Sequence, residues 1–187
     1  MKKLFMAVLC AAAVLALSAE TLEINGKFEK VNKKTGRPAN WNLNSWVHYK
    51  PAPKIEVIAA EGESAVLHIS EIKGKRGAEI YCSTPIPAVA GDTITITAQI
   101  KGSGKAVFGL QLRDEKNNYL GYTKTGGTVN IPADWQDVKV TLKNVNAQKG
   151  PTQKILITVA ANNGNELFIR NLAAEKSSAA PAAAANK

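Results

Sequence analysis

The chain has 187 residues, 24 basic against 15 acidic side chains, and only two cysteines. That length fits one domain with appendages rather than two domains. The positive charges are scattered, as in KFEKVNKK and KGKR, rather than gathered into one run with aromatics between them, which argues against a nucleic-acid partner and leaves a general attraction to anionic surfaces.

Residues 1–19 read as an export signal: MKK supplies the positive start, LFMAVLCAAAVLAL the apolar run and LSA the small-residue cleavage site, after Ala19 or Ser18. The run is too short, and too soon followed by polar sequence, to be a membrane-spanning helix. Cys10 follows Leu9 rather than a small residue and sits inside the apolar run, so it belongs to the leader and is not a lipid-modified first residue. Without the leader the basic residues fall from 24 to 22, and Cys82 is the one cysteine left. No disulfide can then form within the chain, and the domain must rely on its core. Cys82 itself reads as a small buried hydrophobe.

From Glu20 onward the apolar period is two. Ile94, Ile96, Ala98 and Ile100 alternate with Thr93, Thr95, Thr97 and Gln99. Phe108, Leu110 and Leu112 oppose Gly109, Gln111 and Arg113; Val138, Val140 and Leu142 continue the pattern, as do Ile155, Ile157 and Val159. AVLHIS and AEIYCS are shorter runs, and EGES, KGKRG, AGD, KGSGK, DEKNN, TGGT and NNGN mark turns between strands. The reading is all-β: about nine or ten antiparallel strands in a jelly-roll β-sandwich over residues 20–175. The tail, 176–187, is poor in complexity and reads as disordered or as a linker.

Several short motifs then fall in a telling order. INGKFE followed by TGRPANW, then AGDTITITAQIKGSG, ADWQDVKVTL and ELFIRNLAAE, resemble the successive elements of the jelly-roll carbohydrate-binding modules of families four, nine and twenty-two and their galactose-binding-like relatives. The resemblance implies a non-catalytic protein that binds a polysaccharide or cell-surface glycan, secreted to the periplasm or the exterior, monomeric, and without a cofactor. It also implies that Trp41 packs beneath the first loop. Two positions depart from the pattern. Arg170 and Asn171 stand where such closing strands often carry Asp for a structural calcium. A cation there would oppose a metal that takes six to eight oxygens, so no metal is expected although Glu29 remains. Ile94 replaces a frequent aromatic and suits a core.

A sugar needs a flat aromatic and side chains that donate and accept hydrogen bonds. The candidates are Trp46 and Tyr49 in NLNSWVHYK, Tyr81, and the polar positions Thr97, Gln99, Gln111 and Arg113. Were the strands bearing Thr97 and Gln111 neighbours, these polar residues with Thr95 would form one patch; the alternative is an ordinary solvated sheet face. Arg113 is also suited to a uronate or sulfate. Tyr119 and Tyr122 are candidate loop-edge contacts, Trp135 reads as structural, and His48 and His68 do not make a zinc site. Catalysis would need two carboxylates flanking a bond; Glu79 and Asp114 are present, but nothing in their local sequence marks a raised pKa. A structural or adhesion protein of the cell envelope, with no glycan ligand, is the alternative to a binding module.

Overall fold

The computed structural model describes residues 19–44, 52–59, 65–73, 77–162 and 166–178. Trp46 and Tyr49, and nearly all of the expected leader and tail, lie outside the described residues.

Side chains alternate between the faces of a strand, and here the alternation is read directly as burial. In β7 (Thr93–Ser103) Ile94, Ile96, Ala98 and Ile100 are buried while Thr97 is exposed. β7 lies between β11 (Gln136–Lys143) and β13 (Glu166–Ser177); β13 in turn pairs with β4 (Val66–Ser70) and, towards its end, with β1 (Glu20–Thr21), and β3 (Lys54–Ile58) closes the far edge. These make a six-stranded antiparallel sheet. The second sheet has seven strands in the order β10 (Thr128–Asn130), β8 (Lys105–Arg113), β12 (Lys154–Ala161), β5 (Ala78–Cys82) and β2 (Trp41–Leu43). β9 (Tyr119–Thr123) extends the β10 edge of β8, and β6 (Ile86–Pro87) continues the line of β5 along β12.

The inner faces meet in one apolar core. Phe108, Leu110, Ile155, Ile157 and Val159 from the second sheet and Ile94, Ile100, Leu167 and Ile169 from the first are all fully buried. Each such aliphatic or aromatic side chain contributes on the order of 1.5–3 kcal/mol by leaving water. The described residues hold no helix and form the β-sandwich jelly roll that the alternation predicts. Thirteen strands replace the expected nine or ten because some lines of pairing are interrupted. Pro85 lacks the amide a ladder needs and separates β5 from β6, while a turn at Gly126 and Gly127 separates β9 from β10.

The opening motif is structural. Trp41 is buried, meets Phe28 edge to face at 6.2 Å and donates its Nε1 hydrogen to the Ile24 carbonyl at 2.9 Å. Gly26 allows the first loop to close on β13: a β-carbon there would stand 1.7 Å from the Leu172 carbonyl oxygen. The Leu172 amide donates to Gly26, where β13 shifts register between Arg170 and Ala173. Burial pushes the Cys82 thiol up in pKa and keeps it inside the core.

One conditional expectation is corrected. β7 and β8 are consecutive but belong to different sheets. Thr97 and Gln99 therefore face away from the core on one side of the sandwich, and Gln111 and Arg113 on the other; no single patch joins them. The short KGSGK turn passes the chain across the sandwich instead of pairing the two strands. β13 also runs to Ser177, with Lys176 ion-paired to Glu20 at 2.8 Å, two residues past the boundary expected for the domain.

Candidate functional site

The outer face of the seven-stranded sheet is the better-built surface. Registers place Thr158 beside both Gly109 and Tyr81, and Gln111 beside both Leu156 and Tyr122. Glu79 and Tyr81 alternate with the buried Ala78, Ile80 and Cys82, so both project outward. Asn44, just past β2, is tied to Glu79 twice: its amide donates to the Glu79 carbonyl at 2.9 Å and its Nδ2 to Glu79 Oε1 at 2.8 Å.

These side chains converge. A cleft of about 280 Å³ is lined by Asn44, Glu79, Gln111, Tyr119 and Tyr122. Tyr122 crosses the sheet above Gly109, its hydroxyl 3.1 Å from Thr158 Oγ1. Burial pushes that phenol up to about 12, and the Glu79 charge adds to the effect. The Glu79 carboxyl is itself raised, chiefly by burial, with the Asn44 and Gln111 amides pulling the other way. This corrects the sequence expectation that nothing raises Glu79: the partial burial comes from neighbours on other strands. The signals within reach were the shared outward phase of Glu79 and Tyr81, and a glycine inside a strand, which marks a close approach.

Arg113 contacts two residues of the cleft, Gln111 and Tyr119. Its Nη2 donates to Gln111 Oε1 at 2.5 Å, its Nη1 to the Asn117 carbonyl at 3.1 Å, and its guanidinium stands 5.5 Å from the Tyr119 ring centre. The turn beneath is fixed by Asp114, which accepts from the Asn118 amide at 2.7 Å and from Asn118 Nδ2 at 2.8 Å; these bonds hold its carboxyl below the ordinary value. Of the seven residues singled out in the sequence, Gln111 lines this cleft, while Arg113 and Tyr81 share its sheet face. Thr97 and Gln99 are on the opposite face, and Trp46 and Tyr49 fall outside the described residues.

On that opposite face Gln99 accepts from Arg170 Nε at 2.7 Å, and the Arg170 guanidinium lies 4.3 Å from the centre of the Trp135 ring. Arg170 thus points along the sheet to Trp135, while Glu29 lines a separate groove with Lys27 and Lys30 at the first loop. Among the described residues no three His, Cys, Asp or Glu side chains gather as metal ligands. No helix among them is long and apolar enough to cross a membrane.

No family model and no curated protein matches the chain. Solved structures do. The CBM22-1 xylan-binding domain from Paenibacillus barcinonensis Xyn10C aligns over 88% of this chain and 96% of its own, with a TM-score of 0.55 at 12% identity. A CBM4 module aligns over 83% and 100%, with a TM-score of 0.53 at 17% identity. A cyclase from Fischerella sp. TAU aligns over 88% and 100%, with a TM-score of 0.58 at 14% identity. The chain is a jelly-roll β-sandwich. Its particular form is the one these carbohydrate-binding modules and cyclases share, so the described residues have the architecture that the motif order implied.

Proposed function

We propose that the protein is a non-catalytic carbohydrate-binding protein that holds a polysaccharide against the outer face of its seven-stranded sheet. The observation that carries this reading is the convergence of two phenol rings, two amides and a carboxylate on one open cleft. Phenol rings offer apolar faces to sugar C–H groups, while amides and a carboxylate satisfy hydroxyls. Trp46 and Tyr49 follow Asn44 by two and five residues, and we assign both to the same ligand, with Tyr81 and Arg113 at its periphery. The modules that share the fold support this reading, one of them being a xylan-binding domain.

Hydrolysis of a glycoside takes two carboxylates about 5–10 Å apart, whereas Glu79 is the one carboxylate among the described residues lining the cleft. Export agrees with the leader, and β1 starts at Glu20, the residue after the expected cleavage point. A second reading has one observation in its favour: Glu79 is half-buried, raised in pKa and flanked by two phenols, on a fold that also serves cyclases. That arrangement could deliver a proton.

Affinity electrophoresis of the mature chain through neutral and anionic polysaccharides separates the readings. Retardation by a neutral glycan, with no reducing ends released, supports the binding module. Chemical change of the retarding glycan would turn the assignment to an enzyme. Free migration through a broad panel would leave the envelope scaffold.

A further inference from the structure

Residues 30–38, between β1 and β2, form a small hairpin that the cleft does not use. Val31 bridges to Pro38 in antiparallel fashion, the Asn32 amide donates to the Arg37 carbonyl at 2.8 Å, and the Ala39 amide to the Lys30 carbonyl at 2.6 Å. The turn closes where the Gly36 amide meets the Asn32 carbonyl at 2.9 Å, with Gly36 in the left-handed region at a φ of 68°. Residues 30–37 include four basic side chains, Lys30, Lys33, Lys34 and Arg37, and no acidic one. The three lysines are exposed, as is Val31 among them at 39%. A β-carbon on Gly36 would meet no described atom within 4 Å, so the turn stands in open space.

These charges have no carboxylate to offset them within the hairpin. Among the described residues none of the four basic side chains forms an ion pair. Glu56, whose neighbour Val57 donates to the Gly36 carbonyl at 3.0 Å, pairs with Lys54 at 2.8 Å, and Glu29 sets one negative charge against the four. The polar side chains of the turn build it. Asn32 Oδ1 accepts from the Lys34 amide at 3.0 Å and Thr35 Oγ1 from the Arg37 amide at 3.4 Å. What the hairpin offers a partner is therefore point charge and one apolar side chain on a convex tip. That suits a flat anionic surface better than a single sugar chain, which needs hydrogen-bonding groups around it.

We propose that this hairpin docks the protein on an anionic lipid bilayer. Lys30, Lys33, Lys34 and Arg37 lie against the lipid phosphates, each basic residue near such a surface adding about 1 kcal/mol, and Val31 enters between headgroups. Its place in the fold sets the orientation. The Gly36 carbonyl ties the hairpin to β3, an edge of the first sheet, and its chain leads directly into β2, an edge of the second. Docking there presents an edge of the sandwich to the lipid and leaves the outer face with the cleft open.

The test is co-sedimentation of the mature chain with phosphatidylglycerol/phosphatidylcholine vesicles and with pure phosphatidylcholine vesicles, from about 0.05 to 0.5 M salt. It compares wild type with Lys33→Gln/Lys34→Gln and with a charge-matched control, Lys143→Gln/Lys149→Gln, whose lysines are exposed elsewhere. Wild type should bind the anionic vesicles alone, more weakly as salt rises. The hairpin pair should lose about tenfold or more in partitioning, and the control should lose much less. Equal losses in the two pairs would reduce the effect to net charge and overturn the site. Absence of vesicle binding would return these lysines to guarding a sheet edge. Binding to polygalacturonate but not to the vesicles, lost in the hairpin pair, would give the surface to an anionic polymer and overturn the lipid assignment. Should the hairpin pair fail to fold, anionic vesicles should still protect Lys33 and Lys34, and not Lys143, from acylation in the wild type; equal labelling would overturn the proposal.

Discussion

Tyr122 lies across the sheet in space that a side chain at Gly109 would need. A β-carbon on Gly109 would come within 2.2 Å of Tyr122 Oη and 2.9 Å of Thr158 Oγ1. Glycine at this position is thus what lets the phenol lie over the strand and form one wall of the cleft. Gly109→Ala should push the ring outward, cost about 1–3 kcal/mol in denaturant unfolding through overpacking, and weaken glycan retardation. Tyr122→Phe keeps the ring and removes the bond to Thr158, so it should cost only about 0.5–1.5 kcal/mol and leave most of the binding. Equal loss of binding in both variants would show that the hydroxyl, not the ring, makes the contact.

Glu79 sets a pH dependence with a definite sign. Its folded pKa is raised above the ordinary 4.5 by burial. Below 4.5 the carboxyl is protonated in both folded and unfolded chains and carries no penalty. As pH rises through the raised value, the unfolded chain ionises more readily and the folded state loses that advantage. Glu79→Gln should therefore gain stability relative to wild type between pH 4 and pH 7, read from urea midpoints at each pH. Glycan affinity should run the opposite way. In the proposed site the ionised carboxylate accepts hydrogen bonds from sugar hydroxyls, so wild-type binding should weaken as pH falls through the raised value, while Glu79→Gln should stay flat. A parallel pH profile in both proteins would take Glu79 out of the ligand contacts.

Alternation alone carried the fold, because a sandwich buries every second residue and Ile94 to Ile100 or Ile155 to Val159 say so plainly. Which strands become neighbours was not legible. The KGSGK turn could have closed a hairpin between β7 and β8, and only the long-range pairing of β7 with β13 and of β8 with β12 places them in opposite sheets. The candidate site split for that reason. Thr97 and Gln99 went to the face with Trp135, and Gln111 and Arg113 to the face with Glu79. Trp135 read as structural because a tryptophan leading a strand usually packs inward; its half-exposed position under Arg170 depends on a register no local pattern encodes.

Trp41, by contrast, has the role its motif implied. It fills the space beneath the first loop, and its indole hydrogen is spent on the Ile24 carbonyl at 2.9 Å. Trp41→Phe leaves that buried carbonyl without the indole donor and opens a cavity against Phe28. The expected loss is about 2–4 kcal/mol, combining a missing hydrogen bond with lost packing. Because Trp41 faces the core and the cleft lies on the other side of the sheet, glycan affinity of the folded fraction should be unchanged. Affinity falling in step with stability would mean that the first loop takes part in the ligand site.

The sugar contact proposed for Trp46 sets how far the ligand site would extend. Asn44 anchors the chain at Glu79, and Trp46, two residues further along the sequence, is proposed to add a stacking contact to the same ligand. An indole over the apolar face of a sugar supplies binding that the phenols and amides alone do not. Trp46→Ala should lower glycan affinity about tenfold or more, in the range of an aromatic hot spot, with the melting temperature nearly unchanged. Tyr49→Ala, three residues further along, should give a smaller loss of the same kind. Isothermal titration with the glycan that retards the wild type reads both. If Trp46→Ala binds normally while Tyr122→Ala does not, the ligand lies wholly on the sheet, between Tyr119 and Glu79. If Trp46→Ala instead lowers the melting temperature in proportion to affinity, the indole packs against the sandwich and the sugar contact belongs to the tyrosines.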